Sequence, residues 1–182
     1  MKKILSIGLI LALTFTLNVL VQAEEPDNPF ELSQYEQEID GLVTKEEVTE
    51  LKEEATKLFE KEKYEDAEEA LDKWAKSANK LANIISSGLD PFYSASRSER
   101  SDFSYSKTTE ISSYERLSNS LKKERNLAMV KQAESLVELE RNEEAIEVYR
   151  QALQVISIDN WDLWIRASNG IYEIIGIEKI EE

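Results

Sequence analysis

The chain of 182 residues contains neither cysteine nor histidine. Without cysteine there are no disulfide bridges, thiol nucleophiles or lipid attachment at a signal-peptide cysteine, and without either residue the usual zinc sites are excluded. Histidine is also the commonest general base. No glycine-rich phosphate loop, nucleophile motif or metal-ligand spacing replaces these groups. We therefore predict a non-catalytic protein with no catalytic residues, no metal and no other cofactor.

Helix-breaking residues are scarce as well, with three prolines and five glycines. Alanine, glutamate, leucine and lysine dominate, and these residues favour helix over sheet. Hydrophobic residues make up 41% of the chain and charged residues 32%, a balance typical of globular proteins. The length suffices for one domain with a sizeable core. The composition predicts an all-α fold.

Positive charge is in short supply, since 22 basic residues face 37 acidic ones and the net charge is −15. Nucleic acids and anionic membranes are polyanions, so bulk electrostatics should not attract this chain to either. We expect a protein or peptide partner, or a cationic one. The alternative is that the charge only keeps the protein soluble. Adjacent carboxylates such as Glu46-Glu47 point to different sides of a helix, which favours solvated surface over a metal or acid–base pair.

The one long apolar run stands at the start of the chain. Lys2 and Lys3 precede an almost wholly apolar stretch, Ile4–Val21, and small residues flank the bond after Ala23. This pattern predicts a secretory signal peptide, residues 1–23, cleaved after Ala23. An uncleaved anchor is the alternative, because about 18 apolar residues just span a bilayer. Cleavage leaves no stable membrane insertion, and we predict a bacterial periplasmic or extracellular location.

Boundary signals divide the rest of the chain into helices. Residues 24–43 are an acidic, proline-containing lead-in, either a mobile linker or a short helix at the domain edge. Thr44 and Glu47 form a capping box that starts the first helix. A turn at Glu62–Tyr64 leads to a second helix, which Gly88 is expected to end as a left-handed cap.

The middle of the chain breaks the helical pattern, and we predict an irregular segment over residues 89–107. Asp90-Pro91 should stop the helix, and a short helix near Pro91–Glu99 followed by a loop is the expectation for the Ser- and aromatic-rich stretch. Helix resumes at Thr108 or Thr109. The spacing leaves open whether residues 108–139 form one helix or two.

Two further helices and a tail complete the chain. A tight turn at Glu140–Asn142 precedes a helix over Glu143–Ser157, with small residues at Ala133, Ala145 and Ala152 where helices would cross. Asp159-Asn160 should cap the last helix, Trp161–Ile175, which Gly176 closes. Gly170 lies inside that helix, and close packing explains it better than a break. Residues 177–182 form an acidic tail.

An internal repeat links these helices. A shift of 78 residues superimposes the apolar pattern of the first helix pair on that of the later pair, and a shift of 34 more reaches the last helix. A 34-residue step between helix–turn–helix units is the period of tetratricopeptide repeats. The residues that carry the pattern are Ala55, Leu58, Tyr64-Glu65-Asp66-Ala67 and Leu71, then Ala133, Leu136, Asn142-Glu143-Glu144-Ala145, Tyr149 and Ala152.

On these residues the chain resembles the tetratricopeptide-repeat (TPR) family over residues 44–176. The resemblance implies α-α hairpins stacked in a right-handed superhelix, with a groove lined by the first helix of each pair. It also implies binding of a peptide or protein rather than catalysis. The 78-residue offset departs from the family period and predicts an enlarged or irregular middle unit, and the last helix stands without a partner.

Two sets of residues are candidates for partner binding. Trp161, Trp164 and Tyr172 lie near one stripe of the terminal helix, where they either pack on the preceding pair or form an aromatic anchor surface. Arg97 and Arg100 form a basic pair in an acidic chain, and guanidinium groups hold carboxylates well. The alternative for this pair is surface chemistry without a function.

The sequence thus predicts an exported, non-catalytic scaffold or adaptor that binds a protein or peptide through a TPR-like groove or its terminal aromatic helix. The first alternative is a homo-oligomer that serves a structural role in the cell envelope. The second is an enzyme with its site in residues 89–107, which requires Arg97, Arg100, Tyr93 and Tyr105 to converge on a pocket.

Overall fold

The computed structural model describes residues 41–181, and this part of the chain contains helices and short connections but no strand. The helices are α1 (Lys45–Glu60), α2 (Tyr64–Ser94), α3 (Arg97–Ser101), α4 (Tyr105–Glu138), α5 (Asn142–Val155) and α6 (Trp161–Ile174). The prediction of an all-α fold is confirmed. The predicted signal peptide, its cleavage point after Ala23 and the lead-in up to residue 40 lie outside the described residues.

Helix α1 begins at the predicted capping box. The Thr44 hydroxyl accepts a hydrogen bond from the Glu47 amide at 3.2 Å, and the Glu47 carboxylate accepts one from the Thr44 amide at 2.8 Å. Val43 is buried, and the Lys80 ammonium donates to the Gly41 carbonyl at 2.9 Å. The last three residues of the lead-in are therefore held against the helices.

The turns from α1 to α2 and from α4 to α5 have the same geometry. Each contains a glutamate in the left-handed region, Glu62 at φ 56° and Glu140 at φ 60°. The following amide donates to the carbonyl five residues earlier, at 3.1 Å in the first turn and 2.9 Å in the second. These hydrogen bonds define a Schellman motif, in which this position is usually glycine. The two turns lie 78 residues apart, the offset of the sequence repeat.

The core forms where consecutive helices pack on one another. Helix α2 contacts α1 and, more extensively, α4, while α5 packs between α4 and α6. Ala133, Ala145 and Ala152, the small residues predicted at helix crossings, are all 0% exposed. Small side chains let the helices approach closely, so that large residues elsewhere fill the remaining space. The main large members of the core are Leu71, Trp74, Met129, Leu136 and Tyr149.

The predicted end of α2 is wrong, because the helix passes through Gly88 and Pro91 to Ser94. Gly88 is not in the left-handed region. Pro91 lies in the last turn, where its missing amide leaves only the carbonyl of solvent-exposed Ser87 without its helical donor. Buried Leu89 holds this part of α2 in place, so packing outweighs the local stop signals.

The C-terminal part of α2, helix α3 and the N-terminal part of α4 form a helical hairpin that we call the arm. Residues 89–107, where the sequence predicted a break in the helical pattern, lie at its tip. Helix α4 begins at Tyr105, before the expected start at Thr108 or Thr109, and runs unbroken to Glu138. The predicted short helix at Pro91–Glu99 is wrong, and the five-residue α3 takes its place. Across the arm, the Ser118 hydroxyl donates to the Ala82 carbonyl at 3.0 Å.

The arm lies between the two helix pairs that the 78-residue sequence offset relates. This offset exceeds one 34-residue period by 44 residues. The C-terminal part of α2, helix α3 and the N-terminal part of α4 together form an antiparallel helical hairpin, with the predicted irregular segment, residues 89–107, at its tip.

Helix α6 packs closely on α5 at Gly170. A Cβ atom at Gly170 would lie 2.3 Å from Tyr149 Cζ, so the prediction of close packing at this glycine is confirmed. The helix ends at Ile174, one residue before the predicted end, and Gly176 follows the C-cap Ile175 with a φ of 71° in the left-handed region. Asn160 occupies the N-cap position, but its side chain makes no capping hydrogen bond.

Candidate functional site

The terminal helix presents a stacked pair of tryptophans. The ring centroids of Trp161 and Trp164 lie 5.2 Å apart, and the ring planes differ by 10°. Trp164 is partly buried against the core, whereas Trp161 is 47% exposed. Both alternatives from the sequence therefore apply, because the Trp164 indole packs on the domain and the Trp161 indole stacks on it with its ring exposed. We call Trp161 and Trp164 the tryptophan stack.

The packing of α6 fixes the orientation of the tryptophan stack. Leu163 and Ala167 are buried in the core, and Gly170 lies against Tyr149. These positions recur every three or four residues and therefore face the same side of the helix. With that side fixed on the domain, stacking on Trp164 places the Trp161 ring at the surface. An aromatic side chain has only two side-chain torsions and loses little entropy when a partner covers it.

Tyr172 is separated from the tryptophan stack. It follows Trp164 by eight residues, a rise of about 12 Å along the helix. Its carbonyl accepts a hydrogen bond from the Ile177 amide at 2.8 Å and helps to close the end of α6. The predicted cluster of three aromatic residues is therefore a pair of tryptophans and a distant tyrosine.

The segment after α6 folds back along the helix. The Asn169 side chain donates to the Ile180 carbonyl at 3.0 Å and accepts from the Ile180 amide at 2.8 Å. Ile165, one turn before Asn169, is 3% exposed although it does not belong to the main core cluster. Ile180 is therefore held on α6, and the other residues of the segment 177–181 are exposed.

Arg97 and Arg100 lie at the tip of the arm, on the short helix α3. Both side chains are exposed, and the Arg100 guanidinium donates to the Tyr93 carbonyl at 3.5 Å. Tyr93 is 44% exposed and Tyr105 is 89% exposed. The four residues that the enzyme alternative requires are thus all open to solvent, and no enclosed pocket is formed from them.

The two sets of predicted site residues are far apart. Tyr105 begins α4 at the tip, and Asn126 marks the point where α4 reaches α5. The 21 residues between them correspond to a rise of about 30 Å. A partner that contacts Trp161 would therefore need an extended shape to reach Arg97 and Arg100 as well. The structure does not bring these candidates together.

A buried polar cluster lies where the arm leaves the helix stack, and sequence reasoning missed it. The Arg125 side chain is 93% buried and donates to Asn79 Oδ1 at 2.7 Å and to Asn126 Oδ1 at 2.9 and 3.0 Å. Asn126 donates in turn to the Val155 carbonyl at 3.2 Å. These amide oxygens accept from the Nε, Nη1 and Nη2 atoms of the buried guanidinium group.

Arg125 also lines a cavity of about 490 Å³ between residues 119–126 of α4 and residues 155–160 of the α5–α6 connection. Its other charged residues are Lys122, Lys123 and Asp159. The Ser157 hydroxyl, with a smaller contribution from Lys123, lowers the pKa of Asp159, so that its carboxylate is ionised at neutral pH. Three basic residues and one acidic residue thus line this space in a chain of net charge −15. We call this space the cationic cavity.

The run Lys122-Lys123-Glu124-Arg125 was the available sequence signal for the cationic cavity. Residues 41–181 contain no group of three or more acidic side chains placed to hold a metal ion. Within the same residues, none of the helices is long and apolar enough to cross a membrane. Comparisons with protein-family models, with curated proteins and with solved structures yield no match to this chain. The resemblance to tetratricopeptide repeats therefore stays a prediction from the sequence.

Proposed function

We propose that this protein is an exported, non-catalytic adaptor that binds a protein partner through the tryptophan stack. The observation that carries the proposal is the 47% exposure of Trp161, whose ring is held in a fixed position on Trp164. Tryptophan is one of the residues enriched among the energetic hot spots of protein interfaces. Because the chain carries a net charge of −15, the partner surface should surround its apolar pocket with basic residues.

We also infer that the helices are stacked as TPR-like repeats in a right-handed superhelix. Identical Schellman turns at Glu62 and Glu140 support a common ancestry of the two helix pairs. Gly176 ends α6 with the same hydrogen-bond pattern, since the Ile177 amide donates to the Tyr172 carbonyl. On this reading α6 is the first helix of a third repeat, and residues 177–181 occupy the place of its second helix.

The proposal of export depends on residues 1–23, whose charge and hydropathy pattern is that of a signal peptide. Expression of the full chain in a bacterium with an intact secretion system should yield a mature protein that begins at Glu24. Mass spectrometry of the periplasmic and medium fractions measures that mass directly. A full-length protein retained in the cell would contradict export.

Partner binding is tested with Trp161→Ala and a matched exposed aromatic, Tyr114→Ala, on the arm. Tyr114 is 55% exposed, so both variants remove a similar surface ring. Loss of an anchor tryptophan costs about 2 kcal/mol or more, which corresponds to roughly 30-fold in Kd. The measurement is affinity capture from the exported fraction, followed by titration of the captured protein with both variants. Equal affinities of the two variants would exclude the tryptophan stack as the site.

The homo-oligomer remains the competing function, with Trp161 as a contact between copies. Light scattering at increasing protein concentration separates the two functions. The adaptor should stay monomeric over the range, whereas a self-associating protein should gain mass, and Trp161→Ala should then reverse that gain.

A further inference from the structure

We propose that residues 24–40 of the lead-in bind to an apolar groove of the arm. The groove lies between α2 and α4 and is lined by Leu81, Ile84, Ile85 and Leu117, and we call it the arm groove. Residues 24–40 immediately precede the described part of the chain. This surface does not include the tryptophan stack, so the proposal does not depend on the protein partner proposed above.

Helix α1 lies over the same groove where the arm joins the helix stack. The Lys52 ammonium of α1 lies 5.8 Å from the centroid of the Trp74 ring on α2 and 3.4 Å from the Glu124 carboxylate on α4. Since α2 and α4 are antiparallel, the positions seven residues after Trp74 and seven before Glu124 are both about two helical turns nearer the tip. These positions are Leu81 and Leu117, which therefore continue the surface that α1 covers.

The arm groove extends toward the tip beyond the start of α1. Helix α1 begins at Lys45, about two turns from the contact with Trp74, and its N-terminus points toward the arm. The face of α2 that contacts α1 continues with Ile85 and Phe92, and beside them Ile84 is 50% exposed. Apolar side chains on a helix face normally pack against another element, so this surface lacks a partner among residues 41–181.

The chain enters α1 from the side of the arm groove. Val43 is buried, and the Lys80 ammonium of α2 donates to the Gly41 carbonyl at 2.9 Å. The segment that precedes Gly41 therefore starts where the uncovered surface begins. From Lys80 to Phe92 the rise is about 18 Å, and residues 24–40 would span about 26 Å even as a helix. The segment is therefore long enough to cover the groove as far as the tip.

The distribution of charge favours the arm as the binding surface. Residues 24–40 contain seven acidic residues and no basic one, whereas residues 80–117 of the arm contain five of each sign. The remaining described residues, 41–79 and 118–181, contain 24 acidic and 15 basic residues, a net charge of −9. Like charges repel, so the arm is the part of the described chain where the acidic segment meets the least repulsion.

The apolar residues of the segment suit this groove. Leu32, Tyr35 and Ile39 recur at positions i, i+3 and i+7, the spacing of one helix face, and polar or acidic residues separate them. Binding would remove the apolar side chains of both surfaces from water, which supplies the driving force.

The test is a single nitroxide label on the segment, which the absence of cysteine permits. Gln37→Cys in the mature chain places the label between the apolar positions and leaves them intact. Nuclear magnetic resonance should then show loss of amide signal intensity for residues 81–92 and 110–117. Residues 136–146, about 30 Å away along α4, should keep their intensity. Loss that is absent, spread evenly over all helices, or confined to helices other than α2 and α4 would overturn the proposal.

Substitutions in the groove and in the segment identify the contact. Ile84→Asp puts a negative charge opposite the acidic segment and should restore the lost signals. Ile158→Asp is the matched control at an isoleucine that is 62% exposed outside the arm, and it should leave the loss unchanged. If Ile84→Asp does not fold, Leu32→Ser/Tyr35→Ser decides, because it changes only the segment and should also restore the signals. Equal loss in the parent and in the variants of groove and segment would contradict the contact.

A mixed sample separates binding within one molecule from binding between two copies. Labelled chain without isotope enrichment is combined with unlabelled, isotope-enriched chain, so that only an intermolecular contact reduces the signals. We expect no loss of intensity in this mixture. Loss at residues 81–92 would show that the segment of a second copy occupies the arm groove, and the intramolecular contact would then be wrong.

Discussion

At the scale of single residues, two glycines in helix interiors meet opposite surroundings. A Cβ atom at Gly88 would have no neighbour within 4 Å, whereas one at Gly170 would lie 2.3 Å from Tyr149 Cζ. Alanine in place of a helical glycine gains about 0.5–1 kcal/mol. Overpacking costs about 1–3 kcal/mol. Gly88→Ala should therefore raise the free energy of unfolding in urea, and Gly170→Ala should lower it.

The double variant Gly170→Ala/Tyr149→Leu checks that the contact with Tyr149 is the cause. Leucine removes the ring atoms that the new methyl group would meet, so the double variant should be more stable than the two single effects predict by addition. Additive effects would show that Gly170 is required for another reason. A stabilising Gly170→Ala would show that α5 and α6 do not pack this closely.

The buried hydroxyl of Tyr149 should make the free energy of unfolding depend on pH in the alkaline range. Burial, and to a lesser degree Glu134, raises the pKa of its hydroxyl above the ordinary value of 10.0. The unfolded chain releases this proton near pH 10 while the folded chain keeps it. The contribution to stability is therefore full below pH 10 and is lost above it, by about 1.4 kcal/mol per pH unit.

Tyr149→Phe removes this titration. Its free energy of unfolding should fall less steeply between about pH 10 and 12 than that of the parent protein, since other groups titrate equally in both. Chemical denaturation at a series of pH values gives the two slopes. Parallel curves would mean that Tyr149 is ionised as easily in the folded protein as in the unfolded chain.

At the scale of elements, Pro91 destabilises the helix α2 within the arm, and a single substitution can remove this effect. Proline inside a helix costs about 3 kcal/mol, because it lacks an amide and its ring crowds the carbonyl four residues earlier. Pro91→Ala restores the amide that reaches Ser87. The amides in the last turns of α2 should then exchange hydrogen more slowly, and the gain should remain local because the tip is exposed.

Hydrogen exchange with mass spectrometry resolves the arm from the helix stack. Ser87→Ala is the matched control, because it alters the same turn but leaves Pro91 in place. Unchanged or faster exchange over residues 88–94 in Pro91→Ala would mean that proline is not what limits the stability of α2 there.

Pro91 also lies in the part of the fold that could not be predicted from the sequence. Cap and turn chemistry is local, so the capping box at Thr44, the turns before Tyr64 and Asn142 and the close packing at Gly170 were all predictable. The continuation of α2 was not, because contacts between α2 and α4 decide it and their residues lie far apart in the chain.

The candidate sites show the same difference between local features, which the sequence predicts, and long-range contacts, which it does not. The tryptophans of α6 could be placed on one stripe from spacing alone, but the exposure of Trp161 depends on how α6 packs on its neighbours. The cationic cavity needs Arg125 to meet Asn79, a residue 46 positions earlier. The packing of α2 on α4 brings those two residues together, and no local sequence pattern predicts this contact.

At the scale of the whole molecule, the unbalanced charge should limit stability. Residues 41–181 contain 29 acidic and 20 basic residues, a net charge of −9, and the resulting repulsion within the folded volume favours the unfolded chain. Exposed ion pairs oppose this effect weakly, because each is worth about 0–1 kcal/mol and most of those in residues 41–181 lie at the surface. Added salt should therefore stabilise the folded protein, because screening of the repulsion should outweigh the weakening of the ion pairs.

Raising sodium chloride from about 20 to about 300 mM shortens the Debye length from roughly 20 to below 8 Å, and the midpoint of thermal unfolding should rise by a few degrees. Glu53→Gln/Glu60→Gln removes two negative charges by changing two exposed residues of α1. This variant should unfold at a higher temperature in low salt, and it should respond less to added salt. A midpoint that falls with salt would instead assign the dominant electrostatic contribution to ion pairs, among them the bidentate pair of Arg166 with Glu134 that joins α6 to α4.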